Sequence, residues 1–348
     1  MLEFPSDRVD LRSDTITQPT PAMREAMASA EVGDDVFGED PTVLKLQERM
    51  ASIMGKEAGL LVPSGTMSNA VAIRSHTQPG DEIVTEQQSH LYVYEGGGYA
   101  ALSGCSVALV PAERGIMEPG EVADRIRKPA ECSSHYPNGS VVCIENTSNR
   151  GGGTFYPQPV IDEIAQVASG SGCALHVDGA RIFNAAVASG EDPARMVRDC
   201  DTVSICISKG LGAPAGGVLV GSRQLIDQAH RWRKMFGGGM RQAGVLAAAG
   251  LYALEHNLQR LSEDHQRARY LASRLGELPG LSVDLQSVQS NMVYVATKES
   301  ASEAVARLGA EGIDFLSLGR NLLRIVTHLH ITDEDVERTV LAFERHFN

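Results

Sequence analysis

The sequence predicts an α/β protein with a mostly parallel, seven-stranded sheet, followed by a smaller α+β unit at the carboxyl end. Three observations support this prediction. Short apolar segments alternate with helical patterns through the middle of the chain, which is typical of sheets joined by crossover helices. Most of these segments lack polar alternation, as expected for strands covered on both faces. The last part of the chain reads as strand, helix, strand, helix.

The seven predicted strands are rich in Val, Ile and Leu. They are Gly59–Val62, Glu82–Thr85, Ser106–Val110, Val141–Glu145, Ala174–Asp178, Thr202–Ser208 and Gly216–Gly221. Helical patterns such as Thr42–Met54 and Pro159–Ser169 lie between most of them, which favours parallel pairing. The last two segments are joined by a loop too short for a crossover, so at least one strand pair should be antiparallel.

One long helix is predicted after the sheet. Leucines from Leu251 to Leu278 recur mostly every three or four residues and form one apolar stripe. Pro279 and Gly280 end this pattern. We therefore expect an amino-terminal segment 1–20, a large domain 21–250 and a small domain 251–348.

Composition restricts the partners and the location of the protein. The formal net charge is −13, so nucleic acid and anionic membranes are not expected as partners. The amino terminus shows no signal-peptide pattern, and no apolar run approaches the roughly 18 residues of a membrane helix. The six cysteines include no CxxC pair, so no metal site is expected. Reduced cysteines fit a cytoplasmic protein.

Lys209 follows one predicted strand, and Asp178 is the last residue of another. Lys209 precedes Gly210, an arrangement that suits a lysine forming a Schiff base with a closely approaching ligand. The alternative interpretation of Lys209 is a solvated lysine at a strand end. The alternative for Asp178 is an ordinary loop residue or helix cap. Beside pyridoxal phosphate (PLP), its carboxylate would instead keep the pyridine nitrogen protonated. The two signals together favour a PLP enzyme.

Two segments are candidates for binding the phosphate group of such a cofactor. Ser64, Gly65 and Thr66 lie where a strand turns into a helix, and the free N–H groups of a helix start favour anions. A plain capped helix is the alternative. The segment Arg231–Arg241 is basic and contains three consecutive glycines, with Lys234 and Arg241 as candidate contacts. These two side chains could come from a neighbouring subunit. The alternative for the basic segment is a solvated surface with no ligand.

Histidines and arginines supply the remaining candidates. His90 follows a strand and would stack on the cofactor ring and transfer protons, whereas His135 lies in a polar loop. A structural or merely exposed histidine is the alternative for each. Arg181 and Arg324 would hold the carboxylate of an amino-acid substrate through bidentate hydrogen bonds, unless they are surface arginines.

These motifs resemble those of the threonine aldolases, that is, the low-specificity and L-allo-threonine aldolases of PLP fold type I. The resemblance covers nearly the whole chain. It rests on Asp10-Leu-Arg-Ser13-Asp14-Thr15, Val32-Gly-Asp-Asp-Val-Phe-Gly38, Pro63-Ser-Gly-Thr66, Glu145-Asn-Thr147, His176-Val-Asp-Gly-Ala-Arg181, Ser208-Lys-Gly210, Arg231–Arg241 and Arg324-Ile-Val-Thr-His328.

The resemblance implies a PLP-dependent transferase-like fold and a homo-oligomer, a dimer of dimers, with sites shared between subunits. The implied reaction is cleavage of L-threonine, L-allo-threonine or a related β-hydroxy-α-amino acid to glycine and an aldehyde. The resemblance implies that Lys209 binds PLP covalently, that Asp178 pairs with its pyridine nitrogen and that His90 stacks on its ring. The implied phosphate contacts are Gly65, Thr66 and a neighbouring subunit's Lys234 and Arg241. Ser13, Arg181 and Arg324 would hold the substrate carboxylate, and His135 would face the β-hydroxyl. Arg181 is also expected to contact the cofactor.

The chain departs from the family pattern at Ser148, where members often carry histidine, and at the aromatic pair Phe155 and Tyr156. These differences are expected to bear on the aldehyde side of the substrate rather than on the type of reaction. The preference at Cβ and the identity of the proton-accepting group, which is His90, His135 or water, stay open.

Three other functions remain as alternatives. A dinucleotide oxidoreductase is suggested by Gly210-Leu-Gly-Ala-Pro-Ala215, which matches GxGxxA after a strand. That motif should open a helix, but Pro214 and Gly216 lead into another strand pattern. An aminotransferase or β-eliminating lyase would keep the fold and change the products. A PLP-binding protein without catalytic activity is the third alternative.

Overall fold

The computed structural model describes residues 7–131 and 134–347. Its strands are β1 (Val9–Asp10), β2 (Ala58–Val62), β3 (Glu82–Glu86), β4 (Ser106–Val110), β5 (Ala112–Glu113), β6 (Ile116–Met117), β7 (Gly139–Glu145), β8 (Ala174–Asp178), β9 (Thr202–Cys206), β10 (Gly217–Gly221), β11 (Leu281–Val283), β12 (Met292–Thr297), β13 (Ile313–Asp314), β14 (Leu316–Ser317) and β15 (Leu322–Val326).

The helices follow the same order along the chain. They are α1 (Pro21–Ala28), α2 (Pro41–Ile53), α3 (Gly65–His76), α4 (His90–Val93), α5 (Gly98–Ala101), α6 (Pro119–Arg125), α7 (Gln158–Gly170), α8 (Ile182–Ser189), α9 (Pro193–Met196), α10 (Arg223–Met235), α11 (Gly244–His256), α12 (Leu261–Gly276), α13 (Ala301–Ala310) and α14 (Asp333–Phe347). Within the described ranges, no helix has the length and apolar composition that would let it cross a membrane.

The large sheet has the strand order β2-β10-β9-β8-β7-β3-β4. The predicted seven-stranded, mostly parallel sheet is therefore confirmed. The pairs from β9 through β8, β7 and β3 to β4 are all parallel. Strand β10 runs antiparallel to both β9 and β2, which confirms the antiparallel pair inferred from the short loop. The carboxyl ends of β7, β8 and β9 consequently meet at one edge of the sheet, where α/β proteins usually bind ligands.

The two largest hydrophobic cores support the sheets. The first lies between the large sheet and its helices, with Leu46 of α2 and Ile164 of α7 buried in it. The second lies beneath the sheet β11-β12-β15-β14 and includes Leu308 and Phe343 from α13 and α14. Val9 belongs to this second core, because β1 pairs in parallel with β13. The amino-terminal segment thus packs with the carboxyl-terminal sheet, and the domain limits proposed from the sequence remain a prediction.

The prediction of one continuous helix along the leucine stripe is wrong. Helix α11 ends at His256 and α12 begins at Leu261. Between them the buried side chain of Asn257 donates a hydrogen bond of 2.7 Å from Nδ2 to the carbonyl of Leu211. This contact to a distant loop competes with continuation of the helix. The stripe persists across the break because Leu254 lies in the first core and Leu271 in the second.

Asp40 connects three parts of the large unit. Its carboxylate caps α2 by accepting from the N–H groups of Thr42 and Val43. It also accepts from the N–H groups of Gly33 and of Gly244, the first residue of α11. The Asp40 residue is only 1% exposed, and its hydrogen bonds from Val43 and Gly244 are buried, so water cannot readily replace them.

We expect Asp40→Ala to lower the free energy of unfolding by about 2–4 kcal/mol, since it removes a helix cap and leaves buried N–H groups unsatisfied. Urea denaturation followed by circular dichroism measures this loss. Asp192→Ala is the matched control, because Asp192 caps α9 at an exposed position. Its expected cost is about 1 kcal/mol. Equal losses in the two variants would contradict the linking role of Asp40.

Candidate active site

A cavity of about 130 Å³ opens at the carboxyl edge of β8 and β9. Its lining residues are Gly65, Thr66, Asn69, His90, Glu95, Asp178, Ala180, Cys206, Ser208 and Lys209. The structure therefore brings together five of the residues singled out in the sequence, namely Gly65, Thr66, His90, Asp178 and Lys209. Asn69 and Glu95 were not identified from the sequence.

One end of the cavity is the start of α3. Ser64 is the helix N-cap, and its Oγ accepts from the N–H of Met67 at 3.1 Å, so its hydroxyl serves the helix. The following N–H groups of Gly65 and Thr66 belong to the first turn and have no acceptor within the helix. A Cβ atom on Gly65 would lie 2.4 Å from Sγ of Cys206, so a side chain would fill this space. This end suits an anion such as phosphate.

Asp178 lies at the end of β8 and is nearly fully buried. Its Oδ2 accepts from Nδ2 of Asn69 at 2.9 Å, and its Oδ1 accepts from the N–H of Ala180 at 3.1 Å. The same Nδ2 of Asn69 also donates to Oε1 of Glu95 at 2.8 Å. Asn69 lies one turn after Gly65 on α3, and this helical spacing is the signal that identifies it as a further pocket residue.

His90 is the first residue of α4 and half-buried. Its Nδ1 lies 2.9 Å from Oε1 of Glu95, and its backbone N–H donates to Oε2 of Glu145 at 2.8 Å. Burial alone would lower the pKa of His90, but the Glu95 hydrogen bond and the charge of Asp178 raise it above its ordinary value. Burial raises the pKa of Glu95, and it raises that of Glu145 to about 7.

Lys209 is half-buried in the loop after β9, as predicted. Its carbonyl accepts a hydrogen bond of 2.9 Å from Oγ1 of Thr17. The amino-terminal segment therefore holds the backbone of this lysine in place.

Arg181 forms a buried ion pair with Asp14. Its Nε and NH2 groups donate to the two carboxylate oxygens at 2.7 and 2.6 Å. Asn291 donates a further hydrogen bond to Asp14. Burial would raise the pKa of Asp14, but Arg181 outweighs burial and holds that pKa well below its usual range. The bidentate face of Arg181 is thus occupied by a carboxylate of its own chain, and Arg181 does not line the cavity.

The other predicted carboxylate contacts are placed differently. Arg324 donates from NH1 to Oδ1 of Asn149 and from NH2 to the carbonyl of Arg12. Its Nε is buried and has no acceptor within the described ranges. Arg324, like Arg181, does not line the cavity of its own chain. Ser13 lies outside the cavity lining, and its Oγ accepts from the N–H and hydroxyl of Thr15.

Three predicted residues lie outside the cavity of their own chain. His135 lies in an exposed turn before β7. It is at the amino end of this strand, whose length of roughly 20 Å separates it from the carboxyl edge. Lys234 is exposed at the end of α10, and exposed Arg241 pairs with Asp34 at 2.8 Å. Within one chain, therefore, the structure brings none of the three to the cavity.

The departures from the family pattern also lie away from the cavity. Ser148 is buried, and its Oγ accepts from the N–H of Gly151 in a local turn. Tyr156 is buried, and its hydroxyl accepts from the N–H of Met117. Neither residue lines the cavity, and nor does Phe155. Ser148, Phe155 and Tyr156 therefore make no direct contact with the cavity through which they could select the aldehyde part of the substrate.

The dinucleotide-binding alternative fails on the fold. A GxGxxA motif binds a pyrophosphate at the start of the helix that it opens. Here the chain passes from Gly210 to Gly216 without a helix and enters β10 at Gly217.

Comparison with known proteins identifies the family. The model of the beta-eliminating lyase family matches residues 10–298. The probable low-specificity L-threonine aldolase 2 of Arabidopsis thaliana is 44% identical over 346 residues, which cover 98% of this chain and 97% of that protein. The low specificity L-threonine aldolase of Escherichia coli is 42% identical over 329 residues, which cover 94% and 96%. The chain belongs to the threonine aldolase family.

A solved structure agrees with this conclusion about the fold. A threonine aldolase of Leishmania major superposes with a TM-score of 0.84 and 20% identity, covering 98% of this chain and 100% of that one. Membership of the threonine aldolase family implies PLP as cofactor. The cavity fits that group, because an acidic side chain, a lysine and a helix start with space for an anion surround it.

We expect Asp14→Ala to lower the free energy of unfolding by about 3–5 kcal/mol, because it leaves the charge of Arg181 buried without a partner. The Asp14 contribution is present above the ordinary carboxyl pKa and is lost as the pH falls through the lowered pKa of the folded state. Urea denaturation at neutral and acidic pH measures both effects. Asp199→Ala, which breaks an exposed pair with Arg198, should cost about 1 kcal/mol or less. A loss for Asp14→Ala no larger than that of this control would refute the prediction.

Proposed function

We propose that this protein is a PLP-dependent aldehyde-lyase that cleaves L-threonine, L-allo-threonine and related β-hydroxy-α-amino acids to glycine and an aldehyde. The observation that carries the proposal is the convergence of Lys209, Asp178 and His90 in one cavity beside the start of α3. The relatives named as low-specificity L-threonine aldolases, at 42–44% identity over almost the whole chain, support the same reaction.

The lining residues would hold PLP at three points. Lys209 would bind it covalently, Asp178 would pair with the pyridine nitrogen, and the N–H groups of Gly65 and Thr66 would contact the phosphate. When bound, PLP supplies an electron sink for the negative charge that develops on the substrate's α-carbon. Asn69 keeps the Asp178 carboxylate in place through the 2.9 Å hydrogen bond.

The chain's other side chains would orient the substrate and move its proton. Arg324 is the residue that we assign to the substrate carboxylate, because its guanidinium has N–H groups beyond those that bind Asn149 and Arg12. This contact would set which bond of the α-carbon is aligned for cleavage. His90 lines the cavity, whereas His135 of the same chain lies at the opposite edge of the sheet. We therefore assign acceptance of the β-hydroxyl proton to His90.

The active form in this proposal is a homo-oligomer, a dimer of dimers with shared sites. Gly238 of the basic segment packs against Met67, the residue after Thr66, while Lys234 and the Asp34-paired Arg241 are exposed. Phe37 and Met235, which are 72% and 60% exposed, add apolar surface of the kind that marks interfaces. Lys234 and Arg241 would then reach the phosphate of a neighbouring subunit.

Lys209→Ala should reduce turnover to background, because no other lysine lines the cavity to bind the cofactor covalently. Purified protein is incubated with L-threonine and with L-allo-threonine, and glycine and acetaldehyde are assayed together. Lys298→Ala, at an exposed position, is the control and should retain the wild-type rate. Turnover of Lys209→Ala near the wild-type rate would refute the assignment. Ammonia or an α-keto acid as product of the wild type would instead indicate a β-eliminating lyase or an aminotransferase.

Shared sites predict complementation between two inactive variants. Lys209→Ala and the double variant Lys234→Ala/Arg241→Ala should each have little activity alone. After subunit exchange, a mixed pair would contain one site with every native residue, so partial activity should return. Each variant exchanged with itself is the control. No recovery in the mixture, with mixed oligomers verified by mass spectrometry, would show that these residues serve their own chain or none.

A further inference from the structure

A continuous set of buried and part-buried hydrogen bonds joins Asp178 to His90. Nδ2 of Asn69 donates to Oδ2 of Asp178 and to Oε1 of Glu95, and this Oε1 lies 2.9 Å from Nδ1 of His90. The polar atoms that His90, Glu95 and Asp178 present to one another all lie within 4.8 Å. Asn69 and Asp178 are distant in the sequence from the local His90–Glu95 pair, so regular secondary structure does not account for the Asn69 contacts.

The Asn69 amide is held from its other side by His176. Ionised carboxylates only accept hydrogen bonds, so the NH2 group of Asn69 faces Asp178 and Glu95. Its Oδ1 lies 3.1 Å from Nε2 of His176, which therefore carries a hydrogen and donates it. Burial lowers the pKa of His176 to about 3, so its ring is neutral and Nδ1 has a lone pair. Oγ1 of Thr202 lies within hydrogen-bond distance of that Nδ1, at 2.9 Å.

The same reasoning determines the proton on His90. Oε1 of Glu95 already accepts from Asn69, and a carboxylate oxygen beside Nδ1 requires a donor there. A neutral imidazole has one N–H group, so a hydrogen on Nδ1 leaves a lone pair on Nε2. Carboxylates fix histidine tautomers in this way in many catalytic sites.

We propose that Glu95 is a positioning residue that holds His90 as the Nδ1–H tautomer, with Nε2 available to accept the β-hydroxyl proton of the substrate. This inference rests on the proposed aldolase function. In the step, the O–H bond pair becomes part of the aldehyde C=O, and the Cα–Cβ pair stays on Cα. The proton moves to Nε2 of His90, and Glu95 balances the imidazolium charge. A proton is later added to Cα to give glycine.

The charged groups around His90 come from two loops and from the ends of two strands. Glu95 follows α4, Asp178 ends β8, Lys209 follows β9, and Glu145 at the end of β7 binds the His90 backbone N–H. Glu95 and Asp178 favour the imidazolium form, and Lys209 opposes it. Because Glu95 is the hydrogen-bonded partner, its neutralisation should move the His90 titration to lower pH.

The test is a nuclear magnetic resonance titration of the PLP-loaded full chain with isotope-labelled histidine. The His90 signals are identified by their loss in His90→Asn. In the wild type we expect the protonated nitrogen of neutral His90 to be Nδ1. In Glu95→Gln the His90 titration should shift to lower pH, and the acidic limb of the kcat/KM profile should shift with it. We expect kcat to fall more than KM changes.

Glu311→Gln is the matched control, since Glu311 accepts from Nε2 of His346 in a second histidine–carboxylate pair far from the cavity. It should leave the His90 titration and the kcat/KM profile unchanged. A wild-type His90 protonated on Nε2 would overturn the proposal even if Glu95→Gln did not fold. An unshifted His90 titration in folded Glu95→Gln would also overturn it. Absence of glycine and aldehyde with the wild type, alongside the expected tautomer, would refute the aldolase function and not the pairing.

Discussion

The side-chain amide of Asn69 is the contact on which the polar centre of this protein depends. Its NH2 group is shared between Asp178 and Glu95, and its carbonyl is held by His176. Two buried carboxylates this close would repel each other, and the shared donor offsets part of that cost. The arrangement also couples the residue assigned to the pyridine nitrogen with the residue that positions His90.

A second constraint joins the two packing units of the chain. The amino-terminal segment starts in β1, which pairs with β13 in the carboxyl-terminal unit, and continues across the large sheet. There Asp14 forms the buried pair with Arg181, and Thr17 binds the carbonyl of Lys209. Lys209 and Arg181 are thus held by a segment that is anchored elsewhere. This explains how a short, mostly irregular stretch contributes to the site.

Glu145 connects the two functions expected of the site, proton transfer and carboxylate binding. Its two oxygens accept from the backbone N–H groups of His90 and Asn149. Asn149 in turn accepts from Arg324 through Oδ1. One buried carboxyl group therefore sets the position of the α4 start and of the loop that holds Arg324.

The sequence alone determined the strands and the residues that follow them. Apolar runs of strand length are local signals, and residues just after parallel strands meet at one edge, so Asp178, Lys209 and the Gly65 turn were predictable. Tertiary structure decided which polar groups pair. The Asp14–Arg181 ion pair, the contacts of Asn69 with Asp178 and Glu95, and the Asn257 contact at the helix break all join residues that are distant in the sequence. The position of His135 at the far edge was decided in the same way. Sequence spacing carries no information about such contacts, because they depend on how separate helices and strands pack.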